Sequence, residues 1–255
     1  MADMFRLDNK VAVVIGGAGG IGEACALDLG RQGAKVVVAS RNMDKLQEVA
    51  EKIKSETGSE TAAFQVDVTD EESVKRLAEQ VLDKFGTVDI LVNTHGINKK
   101  GPTVDFPVEA WDQLFEVNVK GVMLACKVFG KIMIEKGKGK IINMSSVRGI
   151  RGTDGGNVAY GATKGSVDMI TRMLAAEWAP YNINVNALGP SLVLTEMVKR
   201  NVPPERLKKL SESSLFKRLG TPQEVSGVCV FLASEASDFM TGQILYIDGG
   251  LTAVG

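Results

Sequence analysis

In the segment YGATKGSVDMITRMLAAEWA, Tyr160 and Lys164 stand four residues apart in a stretch with helical spacing, so their side chains share one face. An isolated phenol titrates near pH ~10 and is a poor base at neutrality; a neighbouring ammonium favours the phenolate and brings it into working range. Such a pair can exchange a proton with an alcohol or a carbonyl. A second chemical feature lies far upstream, in GGAGGIG, where Gly16, Gly20 and Gly22 give the spacing G-x-x-x-G-x-G. Glycine permits the tight turn and lets a diphosphate approach bare backbone at a helix N-terminus, whose free N–H groups attract anions. The spacing alone is a weak signal; its place directly after an N-terminal buried strand strengthens it.

The next strand ends at Ser40 and Arg41, where an NAD-binding chain would carry a carboxylate for the ribose 2′-hydroxyl. A hydroxyl beside a planar guanidinium suits a 2′-phosphate instead. NADP is therefore favoured, with NAD possible. The competing reading makes Arg41 an ordinary exposed residue opening the following helix.

Positioning these groups falls to apolar runs at 11–16, 35–40, 61–66, 88–93, 140–145, 183–188 and 243–248, which alternate with helical segments. Their apolar character is continuous rather than alternating, which implies burial on both faces and hence a parallel sheet. The expected fold is a single-domain, doubly wound Rossmann α/β fold over 1–255, with a seven-stranded parallel sheet and helices on both faces. Among the helices, TDEESVKRLAEQVLDKFG puts Val74, Leu77, Ala78, Val81, Leu82 and Phe85 on one face, with a capping box from Thr69 to Glu72. One region departs from the alternation: 190–222 is long, charged and punctuated by proline. It reads as a lid over a site.

Composition excludes several classes. The chain has 255 residues, 44% of them hydrophobic, and a formal net charge of −1, so it carries no electrostatic footprint for nucleic acid. Cys25, Cys126 and Cys229 lie far apart with no C-x-x-C and a single histidine, which argues against a disulfide or a metal site and for a reducing compartment. The N-terminus lacks an apolar signal core and no apolar stretch is long enough to span a bilayer. A cytoplasmic protein acting on a small molecule is expected.

With these motifs in order, the chain resembles a short-chain dehydrogenase/reductase over essentially its whole length. The matching stretches are IGGAGGIG, Asp67-Val68, Asn93 to Gly96, Asn118 in VNVKG, Ser145-Ser146, YGATK, INVNALGP and YIDGG. The resemblance implies roles by position. Tyr160 would be the general acid in reduction and the base in oxidation; Lys164 would lower its pKa and bind the nicotinamide ribose. Ser146 would hold the substrate oxygen, and Asn118 a water linking Lys164 to solvent. Gly16, Gly20, Ile21 and Gly22 would cradle the diphosphate, and Ser40 and Arg41 the adenosine ribose. Asp67 and Val68 would meet the adenine, Asn93 and Gly96 would line the cofactor, and Pro190, Val193 and Thr195 would meet the nicotinamide end. A homotetramer is implied, built through the two long helices up to and including YGATK and through the last strand.

Three departures stand out. Ile15 replaces a threonine whose hydroxyl braces the glycine turn, Pro190-Ser191 replaces Pro-Gly at the lid's entry, and NTHG replaces NNAG. The last brings in His95, the only histidine. With proton chemistry assigned to Tyr160, His95 is expected at the edge of the cofactor site, with substrate contact a secondary reading. Lys99, Lys100, Arg148 and Arg151 suggest cations converging on one mouth, with Arg148 best placed, and GINKK is similar to the gluconate 5-dehydrogenase branch of the family. A sugar acid or its keto form is the expected substrate. The alternatives are a 3-oxoacyl carrier-protein reductase docking through basic lid residues, a broad carbonyl reductase and, outside enzymes, a dinucleotide-binding sensor.

Overall fold

All of the apolar runs become strands of one sheet in this computed structural model, which describes residues 3–254. The strands are β1 (Val11–Ile15), β2 (Lys35–Ser40), β3 (Thr61–Gln65), β4 (Ile90–Asn93), β5 (Gly139–Met144), β6 (Ile183–Pro190) and β7 (Ile244–Ile247). They pair in parallel in the order β3-β2-β1-β4-β5-β6-β7. The helices between them are α1 (Gly20–Arg31), α2 (Met43–Thr57), α3 (Glu71–Phe85), α4 (Val108–Phe115), α5 (Gly121–Lys136), α6 (Val158–Trp178), α7 (Glu196–Asn201), α8 (Pro204–Ser211) and α9 (Pro222–Ala233).

Side-chain alternation along β1 explains the layers. Val11, Val13 and Ile15 face a core closed by α3, α5 and α6, whereas Ala12 and Val14 face one closed by α1, α2 and α9. Both faces of the strand are dry. The strand order reverses between β1 and β4, so the ends of these two strands flank the crevice in which open α/β sheets hold ligands. In register, Ile15 lies opposite Asn93, which sets the glycine turn beside NTHG.

Two local expectations change, and one feature is new. Helix α3 starts after Asp70, whose carboxylate accepts from the Glu72 N–H at 3.0 Å, while the Thr69 hydroxyl donates to Asp67 at 2.7 Å. An ionised cap at the positive end of the helix displaces the neutral one. The segment 190–222 is no continuous loop: β6 runs on to Pro190, α7 and α8 follow, and a reciprocal capping box between Thr221 and Glu224 starts α9. Finally, α4 and α5 are one helix carrying a widened π turn at Glu116–Lys120. The three thiols are buried and unpaired, and among the described residues no helix is long and apolar enough to cross a membrane.

Candidate active site

The site begins where β1 meets α1. Gly16 has φ 89°, and a Cβ there would lie 2.6 Å from the His95 backbone nitrogen, so the turn can be made only by glycine. A Cβ on Gly22 would lie 2.3 Å from the Gly16 carbonyl, which fixes how closely α1 approaches the turn. The hydroxyl missing at Ile15 is supplied from the neighbouring strand. Thr94, in the altered NTHG, donates to the Ile15 carbonyl at 2.9 Å.

Beyond this turn opens a cleft of about 1270 Å³. Gly16, Gly20, Ile21, Gly22, Ser40, Arg41, Asp67, Val68, Gly96 and Thr195 all line it, as expected. Its shape fits a dinucleotide. The N-cap of α1 is Gly19, which offers no side-chain cap, and a Cβ there would meet nothing within 4 Å, so the first-turn N–H groups face open space. At the far end, the Thr69 N–H and hydroxyl hold the Asp67 carboxyl below its usual range, and Arg41 adds to this; an ionised acceptor is thus available to an amine.

The catalytic candidates meet beside the inner end, behind Gly96 and Met144, and none of the four is itself a lining residue of the cleft. Strand β5 delivers Ser146 just past its last residue, α6 delivers Tyr160 and Lys164, and the π turn swings Asn118 inward. Asn118 accepts from the Ile97 N–H at 2.8 Å and donates to the Ile97 carbonyl at 2.9 Å and to Thr163 Oγ1 at 3.2 Å. Both amide hydrogens are spent, leaving a carbonyl lone pair for a water. A Cβ on Gly96 would lie 3.3 Å from Asn118 Oδ1 and 3.7 Å from Lys164 Nζ; glycine here opens the lysine to the cleft.

Lys164 is buried and donates to the Met144 carbonyl at 2.7 Å. Desolvation pushes its ammonium down to about 8, against the pull of the Asp168 carboxylate one turn further along α6. The phenol of Tyr160 is pushed up by burial, opposed by the Ser146 hydroxyl and by the Arg148 charge. The sequence-based expectation gave this opposing role to Lys164, yet its ammonium lies 5.5 Å from the centre of the Tyr160 ring and is directed to β5. Arg148 adds a further positive charge that acts on the phenol.

Several expected contacts fall elsewhere. Asn93 does not line the cleft: its side chain is buried below the sheet end, donating to Asn143 Oδ1 at 2.9 Å. Pro190 and Val193 also stand back from it, Pro190 accepting from Ser146 Oγ at 3.4 Å and Val193 pairing with Gly220. His95 lines the cleft, where its Nε2 is 3.1 Å from where a Cβ on Gly121 would be. Both ring nitrogens are buried without partners, and desolvation with the Lys164 charge pushes the imidazole down to about 3. His95 is neutral at working pH. Arg151 donates to the Leu251 carbonyl, which ties down the C-terminal turn, while its charge stays near enough to Arg148 to oppose it. Lys99 and Lys100 are exposed. Sequence reading missed Lys45, Lys199 and Arg200 as cleft-lining residues and Asp168 beside Lys164; only Asp168, at i+4 from that lysine, carried a local signal.

Proton-exchanging groups at the end of a dinucleotide cleft are what an oxidoreductase of alcohols and ketones requires. Comparison with known proteins gives this class its family. The model of a family described as enoyl-(acyl carrier protein) reductase matches residues 16–252. An NAD-dependent glycerol dehydrogenase from Listeria innocua is 40% identical, covering 97% of this chain and 96% of its own. A 5-keto-D-gluconate 5-reductase from Escherichia coli is 35% identical over 98% of both chains. The crystal structure of a gluconate 5-dehydrogenase from Burkholderia cenocepacia, in complex with NADP and tartrate, superposes with TM-score 0.93 at 35% identity over 99% of each chain. The chain belongs to the short-chain dehydrogenase/reductase family, whose members are oxidoreductases that bind a nicotinamide dinucleotide.

Proposed function

We propose that this protein is an NADP(H)-dependent oxidoreductase that interconverts a secondary alcohol and a ketone on a small polyhydroxylated acid. The observation that carries the substrate class is Arg148. Its backbone N–H donates to Ser146 Oγ at 3.2 Å, and its guanidinium is half-buried with no ion pair among the described residues. Burial and the neighbouring Arg151 both disfavour its charge, and a carboxylate bound there relieves both costs. The relatives that act on 5-ketogluconate and the neighbour holding tartrate support the same class. Ser40 and Arg41 in the cleft, with neighbours solved with NADP, support the cofactor.

The cofactor, when bound, exchanges a hydride with the carbinol carbon. Around it the chain's own groups divide the work. Ser146 holds the substrate oxygen, Tyr160 gives that oxygen a proton in reduction and takes it in oxidation, and Lys164 hydrogen-bonds the nicotinamide ribose. Asn118 positions Ile97 and Thr163 and holds a water on its remaining lone pair. The segment 190–222 acts as the lid, with Thr195 at its cofactor end. The apolar face between α5 and α6, where Met123, Met169 and Met173 are exposed, supports assembly into a homotetramer, and three buried unpaired thiols support a cytoplasmic location.

Docking of an acyl carrier is less well supported, because two of the lid's cations, Arg218 and Lys199, are engaged by carboxylates. Arg218 forms a two-pronged pair with Glu224, at 2.8 and 2.5 Å, and Lys199 pairs with Glu196 at 2.7 Å. The deciding assay follows NADPH absorbance with 5-ketogluconate and with an acetoacetyl thioester at equal enzyme, NADH run beside each. Turnover of the keto acid alone is expected; turnover of the thioester alone overturns the substrate class, and equal rates with NADH overturn the cofactor.

A further inference from the structure

The wide end of the cleft presents a problem of like charges. Arg41 at the end of β2, Lys45 in the first turn of α2, and Lys199 and Arg200 in the last turn of α7 all line it. Two of these cations are matched by carboxylates on their own helices, Lys45 by Glu48 at 2.7 Å and Lys199 by Glu196 at 2.7 Å. Lys52, on the same wall, is matched by Glu23 at 2.8 Å. The two arginines are different. Among the described residues, neither guanidinium forms an ion pair, although Arg41 lies near enough to Asp67 to help hold that carboxyl ionised. Arg200 comes near enough to Lys45 for their charges to oppose one another across the cleft.

The course of α7 explains how a lid residue reaches this point. Its N-cap, Thr195, packs on the start of α1, with its methyl 3.4 Å from where a Cβ on Gly20 would be, and its hydroxyl accepts from the Val198 N–H at 3.3 Å. Five residues of helix rise about 7 to 8 Å. The helix therefore starts over the diphosphate end and carries Arg200 towards the end of β2. Cations on two separate elements that approach one another raise the energy of the closed lid, although Glu48 and Glu23 beside Lys45 offset part of it; a doubly charged group between the cations reverses the sign.

We infer that Arg200 is a cofactor-specificity residue, closing from the lid on the 2′-phosphate of NADP opposite Arg41 and Lys45. This rests on the NADP reading and deepens it: discrimination between NADP and NAD then resides partly in the lid, and the cofactor that carries the phosphate is the one that holds the lid shut. Arg is suited to the task because its planar fork matches two phosphate oxygens. The order of events follows. Cofactor binds first and draws α7 down, and the substrate side is completed afterwards.

Calorimetry with 2′,5′-ADP and 5′-ADP isolates this contact from turnover. On the wild type, 2′,5′-ADP is expected to bind at least tenfold more tightly than 5′-ADP. Arg200→Met, which keeps the stem, should weaken 2′,5′-ADP about tenfold and change 5′-ADP by less than twofold; Arg41→Met should do the same. Wild-type affinity for 2′,5′-ADP in Arg200→Met, with loss in Arg41→Met, overturns the role of the lid while leaving the NADP reading intact. An equal loss for both nucleotides also overturns it, since the contact would then lie on the shared diphosphate. A wild type that does not distinguish the two nucleotides removes the NADP reading itself, and this inference with it.

Discussion

The inner wall and the lid are built on opposite principles. On the inner wall, Lys164 is bonded to a strand carbonyl, Asn118 is held by three hydrogen bonds, and the Ser146 hydroxyl and the half-buried Tyr160 phenol lie on neighbouring elements. In the lid, Lys199 pairs with Glu196 on α7, and among the described residues no side chain of α8 forms an ion pair. The segment is tied to the rest by a few backbone bonds, Ser191 to Ile247 at 3.2 Å and Leu215 to Gly249 at 2.9 Å among them. The difference separates reaction from recognition. Groups that move a proton must hold their geometry to a fraction of an ångström, whereas those that choose a ligand can come from a segment that yields to it.

The sharpest break in this division is Tyr160→Phe. If the proton passes through Tyr160, turnover should fall about 10³-fold, the range expected for loss of a general acid, while cofactor affinity stays within about twofold. Steady-state rates with a cofactor titration by fluorescence would check both halves. A turnover near wild type removes Tyr160 from the chemistry.

Next in size is the response to alkali, in which Lys164 should show two opposite trends. With its folded pKa near 8, the lysine loses its proton above that pH, so kcat/KM should fall about tenfold per pH unit on that limb. Stability should move the other way. The unfolded lysine titrates near its ordinary 10.5, so between about 8 and 10.5 the unfolded chain binds more protons and the folded state gains as pH rises. Denaturant melts at both ends of this window should show the gain in the wild type and its absence in Lys164→Met. His95 adds no limb near neutrality, because burial keeps it unprotonated until about 3.

A weaker break tests recognition alone. Arg148→Met should raise the KM for a keto acid about tenfold, the cost of one charge-assisted contact, with kcat and the KM for a neutral ketone changed by less than twofold. Equal losses for both substrates would move Arg148 from substrate binding to the tuning of Tyr160, on which its charge also acts.

What the sequence disclosed follows the same division. Tyr160 and Lys164 were legible because a helix converts a spacing of four into one face, and the strands because their apolar runs are local. Asn93 was misplaced because a residue at a strand end can turn to the cleft or beneath the sheet, and the choice here depends on Asn143, fifty residues away in the chain. Thr94 replaced the brace absent from Ile15 through a register between β1 and β4 that no short pattern reveals. Arg200 was visible as a charge in a charged segment. Its neighbour Lys45 is on another element, so the pair became apparent only when α7 was folded back over the cleft.

The smallest expected effect tests whether the lid's rear anchor belongs to the rigid half of the molecule. The Thr221 hydroxyl accepts from the Glu224 N–H at 3.3 Å, and the Glu224 carboxylate accepts from the Thr221 N–H at 2.9 Å while pairing with Arg218. Helix α9 therefore begins with two of its free donors satisfied and with the lid's last residues stapled to it. Thr221→Ala removes one half of the box and should cost about 1 kcal/mol, lowering Tm by about 2–4 °C for a chain of this size. If the anchor is part of the scaffold, kcat and KM should not change with it. A Tm that stays put while KM rises would mean that the capping box orders the lid rather than the fold, and would extend the yielding half of the molecule as far as α9.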